Sequence, residues 1–435
     1  MALQPLFIRD WKQLSAYIKK VNIVMGLLKY ELKNNLFITF YLLHYLRFFN
    51  LRPYVQLGSL LVVIDVIFCF YFFFCFAKTW KRCVQKTSIL YFEGMYLMAI
   101  LSIFIANFES GQSLYYGLRG FAHSYLQLGF IFYLIYKKYE PLDLLMICLL
   151  FAFAHSFSLL LTYVQYPNNI LGVQTSVDED YIERSFETRG VFRFNMPGGD
   201  FVVFALLYVL GVFRKIKGRS YILFGLIILI FLRGVRSCIM ASAITGLLTY
   251  LFSKKINFKR ICLILIFPIV GYALLMSIPF TKNIVNSYLS LTEEQYEANK
   301  TDDDIRLQNI YYFSVVFNDQ NSVLPNIIGN GPIVDGPVAK KLDMASQVGF
   351  WLGDVEYITW FVYFGIIGLS IVILWGISCM IAKIPRDYYY IKMMLLYYFI
   401  VMTCGGVIYD NIPIVCILTY VVYIKSLQKN EIATK

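Results

Sequence analysis

The sequence predicts an all-α polytopic membrane protein. Three observations point there. The chain of 435 residues is 59% hydrophobic with a mean hydropathy of +0.63, and apolar runs fill most of it. Those runs are continuous rather than alternating, which suits helices and not the strands of a membrane barrel. Lysine and arginine gather in alternate connections between the runs, the pattern of cytoplasmic loops. A soluble domain does not fit, because lipid-exposed backbone must be satisfied within helices or closed barrels. The net charge of +12 follows from the inner loops, and no nucleic-acid partner is implied.

About twelve spans are expected from these runs. They cover residues 36–50, 56–77, 87–107, 119–136, 143–164, 199–213, 220–232, 237–253, 259–280, 354–382, 388–407 and 411–425. Residues 1–35 precede them as a cytoplasmic, interfacial segment that mixes Arg9, Lys12, Lys19 and Lys20 with Leu3, Phe7 and Trp11. It lacks the pattern of a cleavable signal. The first span carries His44 and Arg47 and is the least apolar. The N-terminal helices fill 36–164, a first outer loop 165–198, and a second helical block 199–280. A large outer loop occupies 281–353, the C-terminal helices 354–425, and a cytoplasmic tail 426–435. The inner connections 78–86, 137–142, 214–219, 254–260 and 383–392 hold 4, 2, 4, 4 and 3 lysines and arginines. The short outer ones hold only Arg52, Arg119, Arg233 and Arg236, so both termini are placed in the cytoplasm.

Within the large loop, Asp302–Asp304 precede the amphipathic stretch Ile310–Phe317 and read as a helix N-terminus. Leu324–Pro337, rich in Gly, Pro and Asn, reads as irregular chain. A loop this long is too large for a plain connector. No internal repeat is evident, which weakens the usual transporter architecture.

Arg233 and Arg236 are the sharpest candidates. They sit at the outer tip of a hairpin whose two inner ends are the basic clusters 214–219 and 254–260. Its first arm, about 12 residues at about 1.5 Å each, is shorter than a bilayer core. The pair is therefore expected below the outer surface, where cations call for an anion such as a lipid-linked phosphate. The plainer reading is snorkelling to outer headgroups. Before the span 199–213, Arg189 and Arg193 can grip phosphates and Asn195 can face a sugar, or the arginines simply pair with Glu183 and Glu187. Arg306 is the one arginine of the large loop, with Asp302 and Asp303 as alternative partners. Asp354 and Glu356 stand at the membrane entry of the tenth span. Either can act as a general base on a hydroxyl, Asp354 first; acids at a solvated helix start are the ordinary alternative.

Other residues read as structural. Asp65, midway along the second span, is taken as a partner for a polar side chain between helices. His44, His123 and His155 are far apart in the chain and read as buried histidines. The nine cysteines are scattered, with no CxxC or metal-ligand spacing and none in the outer loops, so neither a metal site nor an outer disulfide framework is expected.

Placed in order, several segments resemble the O-antigen polymerase and O-antigen ligase superfamily, membrane glycosyltransferases of bacterial surface-polysaccharide synthesis. Arg189-Gly190-Val-Phe-Arg193-Phe-Asn195-Met-Pro197 is similar to the family's Arg–Gly–aromatic–Asn/Pro stretch. Leu232-Arg233-Gly234-Val-Arg236-Ser237 is similar to its Ser-Arg-Gly hairpin tip, without the leading serine. Arg306 followed by Gly329-Asn-Gly331-Pro332 resembles the loop's Arg…Gly-x-Gly segment. Asp354-Val-Glu356-Tyr357 through Phe364-Gly365 and Gly368-Leu369 resembles the helix that returns the loop to the membrane. The likeness covers roughly residues 180–380.

The resemblance implies a GT-C-like fold in the bacterial inner membrane, with an active site facing the periplasm. It implies a metal-independent glycosyltransferase that needs no cofactor. Such an enzyme moves a growing glycan from undecaprenyl diphosphate to a sugar hydroxyl of the next lipid-linked repeat. Membrane lipids and a chain-length regulator protein are the further partners it implies. In ligases a histidine typically precedes the return helix. Here no histidine follows His155, which favours a repeat-unit polymerase over a ligase. A lipid-linked oligosaccharide transporter is the other alternative.

Overall fold

In the computed structural model of the chain, residues 35–83, 87–172, 192–194, 196–212, 218–252, 305–317, 323–405 and 408–433 are described, with scattered positions between 276 and 297. All regular structure among them is helical. The principal helices are α1 (Leu36–Tyr45), α2 (Ser59–Cys83), α3 (Thr87–Ser110), α4 (Leu114–Ala122), α5 (Phe130–Lys137), α6 (Pro141–Gln165), α7 (Asp200–Gly211) and α8 (Arg219–Leu232). They continue with α9 (Arg236–Phe252), α10 (Ile305–Tyr311), α11 (Leu324–Ile328), α12 (Gly336–Gln347), α13 (Glu356–Ile381), α14 (Tyr389–Val401) and α15 (Ile408–Ala433).

Five segments are long and apolar enough to cross a membrane: Ser59–Trp80, Ser88–Ser110, Pro141–Gln165, Glu356–Ile381 and Asp410–Gln428. Four apolar helices, α1, α7, α8 and α9, are shorter. Large apolar side chains such as Phe70, Phe104, Phe153 and Ile377 stay exposed on the long helices, as lipid-facing surfaces require. The expected spans at 199–213, 220–232, 237–253 and 354–382 correspond to α7, α8, α9 and α13 within a few residues. The expected span 259–280, the interfacial segment before residue 35 and the Asp302–Asp304 run lie outside the described residues.

Three expected spans are interrupted. The first ends early, at Tyr45, and the chain then makes a left-handed turn. Arg47, Phe48, Phe49 and Asn50 have φ of 48°, 50°, 59° and 54°. Such a conformation costs L-residues roughly 1–2 kcal/mol each, so contacts must hold it. The amide of Gly172 donates to the Phe49 carbonyl at 3.1 Å, and the Arg52 amide donates to Ile170 at 2.9 Å. The fourth span is α4 and α5, separated by a 3-10 segment, Tyr125–Gly129. Gln127, fully buried, donates to the carbonyls of Ala122 (2.5 Å) and Asp65 (3.4 Å). Irregular backbone at this depth is tolerated because protein groups replace the lost helix bonds. The third interruption is a kink in α13 at Gly365, φ 63°.

The large loop is more ordered than the turn-rich composition of Leu324–Pro337 suggested. α11 begins there at Leu324, with Pro325 in its first turn, and α12 at Gly336, where Asp335 caps the helix by accepting the Gly336 amide at 2.7 Å. The expected helix 310–317 starts at Ile305 and ends in a π turn, Tyr312–Val316.

The bundle has two chemically different ends. Lys78, Lys137, Lys138, Arg219, Lys383, Arg386 and Lys425 lie at one. Tyr420 donating to the Tyr139 carbonyl (2.7 Å) and Lys425 over the Tyr388 ring tie that end together. The left-handed turn, the 233–236 turn and the loop helices lie at the other.

Candidate functional site

The site is built around the short link Pro197-Gly198-Gly199 that opens α7. Gly198 has φ 87°, a conformation that suits glycine. At Gly199 a Cβ would collide with the guanidinium of Arg233, so the missing side chain is what admits the arginine. Arg233 donates from Nη1 to Asp200 Oδ1 at 2.9 Å, and the Tyr397 hydroxyl donates to the same oxygen at 3.0 Å. The arginine side chain is 16% exposed and the aspartate 1%. Arg233 is therefore sunk within the bundle, as the short first arm of the hairpin requires.

Neighbouring polar groups hold this turn. The Tyr163 hydroxyl lies 2.7 Å from the carbonyls of both Phe192 and Leu232, joining the first outer segment to the end of α8. His155 contacts the Pro197 carbonyl through Nδ1 at 3.0 Å. His155 Nε2, Asp200 Oδ2 and the Tyr398 hydroxyl are buried without a hydrogen-bond partner among the described residues. Arg193, half-buried, follows Phe192 and so sits on the segment that Tyr163 joins to the end of α8 just before Arg233. Arg236 begins α9, half-buried, three residues after Arg233 across the turn. Arg189 and Asn195 lie outside the described residues.

A second group belongs to the large loop. Asn309, on α10, donates its amide to the Trp351 carbonyl at 2.8 Å and stands 3.5 Å from Asp354 Oδ2. Arg306, one turn earlier on α10, lies within electrostatic range of Asp354. Asp354 is half-buried. Burial pushes its carboxyl above the ordinary value, and the Arg306 cation acts the other way. The expected pairing of Arg306 with Asp302 or Asp303 involves residues outside the described set.

Glu356 differs from Asp354. It is fully buried, its Oε2 accepts the Ile408 amide at 2.8 Å, and its Oε1 lies 3.4 Å from the Trp360 ring nitrogen. Its own amide donates to Met402 at 3.0 Å. These bonds fasten α13 to the end of α14 and the start of α15, the work of a structural cap. Asp354 is the carboxylate of the two that keeps an accessible face.

The Gly329-Asn-Gly331 segment docks at the kink of α13. The carbonyls of Val362 and Tyr363, freed by the kink, accept the amides of Asn330 (2.8 Å) and Gly331 (3.0 Å), and the Asn330 side chain donates to Val362 at 3.0 Å. A Cβ at Gly329 would meet the Tyr363 carbonyl, and one at Gly331 the Ser102 carbonyl. These glycines position the loop; they present no side chain to a substrate.

The structure thus joins the segment of Arg193 to the turn of Arg233 through Tyr163, and sets Arg306 near Asp354 on the helix that carries Asn309. It adds residues that sequence reasoning passed over, Asp200, Tyr397 and Tyr163, and finds His155 buried beside them, as expected. The available signal was Asp200 itself, an acid heading an apolar run. The chain matches no family model and no curated protein.

Proposed function

We propose that this chain polymerises oligosaccharide repeats carried on undecaprenyl diphosphate. The growing glycan leaves its lipid diphosphate for a sugar hydroxyl of the next lipid-linked repeat. The observation that carries this reading is the buried Arg233, braced by Asp200 and Tyr397 at the end of the bundle away from the lysine clusters. A guanidinium offers five N–H donors, and Asp200 takes one of them through Nη1. In this reading a diphosphate takes others, and its charge grows as the glycosidic bond breaks. Arg193 and Arg236 supply neighbouring positive charge, and Arg189 and Asn195 join them in this reading. Arg306 and Asp354 serve the acceptor side, where sequence reasoning puts the base at Asp354. The reading includes about twelve spans in a GT-C-like arrangement, both termini in the cytoplasm, and the arginines facing the periplasm of the bacterial inner membrane.

The test is direct. Purified protein in nanodiscs receives the lipid-linked repeat with a chelator present, and the products are separated on a gel. A ladder of increasing length is expected, lost in Arg233→Lys and Arg236→Ala. A normal ladder from both variants would sink the arginine assignment. One observation favours a second reading, a carrier for lipid-linked glycans: Asp65 is buried with Arg47 and two histidines inside the bundle, as ion-coupled carriers require. Movement of the lipid-linked unit across proteoliposomes, with no ladder, would select it.

A further inference from the structure

Away from the arginines, but at the same end, Asp65 organises three side chains. It lies six residues into α2, roughly 9 Å from the helix start, and pairs with polar side chains of neighbouring elements, as its place in the sequence suggests. Its Oδ2 accepts from Arg47 Nη2 at 2.5 Å. Its Oδ1 takes both His44 Nε2 at 2.8 Å and His123 Nδ1 at 3.2 Å. Two histidines that sequence spacing treated as unrelated therefore share one carboxylate oxygen.

The two imidazoles end differently. His44 is 1% exposed, and its Nδ1 faces the Tyr54 hydroxyl at 2.6 Å, so both ring nitrogens are engaged. His123 is 36% exposed. It stacks on Tyr45, ring centroids 4.8 Å apart, and its Nε2 has no hydrogen-bond partner among the described residues. A carboxylate on Nδ1–H fixes the tautomer and leaves the lone pair on Nε2. Arg47 on the other oxygen stops the carboxylate from turning away. The ring is thus oriented from behind and open in front. It sits at the break between α4 and α5, one turn after Gly120, which packs on Pro332 and Val334 of the large loop.

We propose that the Asp65–His123 dyad, rather than Asp354, is the base that takes the proton from the acceptor sugar's hydroxyl. The substrate class rests on the transfer reading above; the dyad itself does not. In the step, the hydroxyl proton moves to His123 Nε2, giving an imidazolium against Asp65. The freed oxygen pair bonds to the donor's anomeric carbon. The bond from that carbon to the diphosphate breaks, its electron pair leaving on phosphate oxygen. The imidazolium then releases its proton to water. An imidazole held from behind by a carboxylate, with its second nitrogen open, has the geometry of a general base. The charged and titratable groups facing His123 are Asp65 from α2, and His44 and Arg47 from α1 and its following turn.

Diethyl pyrocarbonate tests this on the full chain in nanodiscs. The chain has three histidines, and His44 and His155 are each 1% exposed. Peptide mass analysis should therefore find His123 as the single modified histidine. Labelling should slow several-fold in Asp65→Asn, should be blocked by the lipid-linked repeat, and should be reversed by hydroxylamine together with the loss of polymer. His123→Gln should lower kcat on the order of 10²–10⁴-fold, keep KM for the repeat, and remove the acid limb of the pH profile; Asp354→Asn should keep that limb. An unlabelled His123, labelling indifferent to Asp65, or wild-type turnover by His123→Gln would overturn the proposal. If the unaltered protein makes no polymer, the transfer reading fails, while the labelling still judges the dyad.

Discussion

At the scale of single residues, Arg233 and Asp200 have a structural and a chemical role that substitution can separate. Removing one partner of a buried ion pair strands the other charge and costs about 3–5 kcal/mol. Arg233→Leu and Asp200→Leu should each lower the melting temperature sharply, and the double variant should recover much of the loss, because no lone charge remains. Polymer should be absent from all three. A double variant that polymerises would reduce the pair to a packing device. Asp354 permits a pH test of a different kind. Burial raises its folded-state pKa above the unfolded value. Its contribution to stability is thus fully present below the ordinary carboxylate range and lost as pH rises through the folded value. Asp354→Asn, which mimics the protonated acid, should melt higher than the parent at neutral pH, and the gap should close on acidification. A gap that widened toward low pH would mean that the Arg306 cation outweighs burial.

At the scale of elements, the loop is set by backbone fit rather than by side chains. Gly331 lies where a Cβ would strike the Ser102 carbonyl of α3. Gly331→Ala should free the segment from α13, seen as faster proteolysis between α11 and α12, with the rest of the bundle intact. Cleavage at the parent's rate would show that α3 gives way instead. This is also where reading from sequence ran out. Unbroken apolar runs such as Pro141–Gln165 were legible because a helix in lipid needs only length and apolarity. The break at Tyr125–Gly129 was not, because it depends on Gln127 meeting Asp65 and Ala122 across space. The left-handed turn at 47–50 has no glycine to announce it; it depends on Arg47 reaching Asp65 and on hydrogen bonds to residues 170–172. The same holds at the site. Arg193, Arg233, Arg306 and Asp354 could be named from type and position. Asp200, Tyr397 and the His123 dyad become visible only when α2, α4, α7 and α14 are packed.

At the scale of the whole molecule, the separation of charge between the two ends makes a topological claim. Basic loops resist crossing a membrane, so the end with Lys138 and Lys383 should be cytoplasmic and the end with α12 and the Arg233 turn external. Both claims are checked by single cysteines at exposed positions: Lys138→Cys and Lys383→Cys at one end, Met344→Cys at the other. A membrane-impermeant maleimide added to intact cells should label the Met344 variant and spare the lysine variants; opening the membrane should expose all three. Of the nine cysteines, six are buried and Cys404 is half-buried; replacing Cys83 and Cys262 by serine in the parent removes the other two from the background. The transfer reading depends on the outcome. Lipid-linked repeats are joined outside the cytoplasm, so an Arg233 turn facing inward would place the guanidinium where no such acceptor is presented. Reversed labelling would therefore retire the polymerase while leaving the buried ion pair and the Asp65 cluster as they stand.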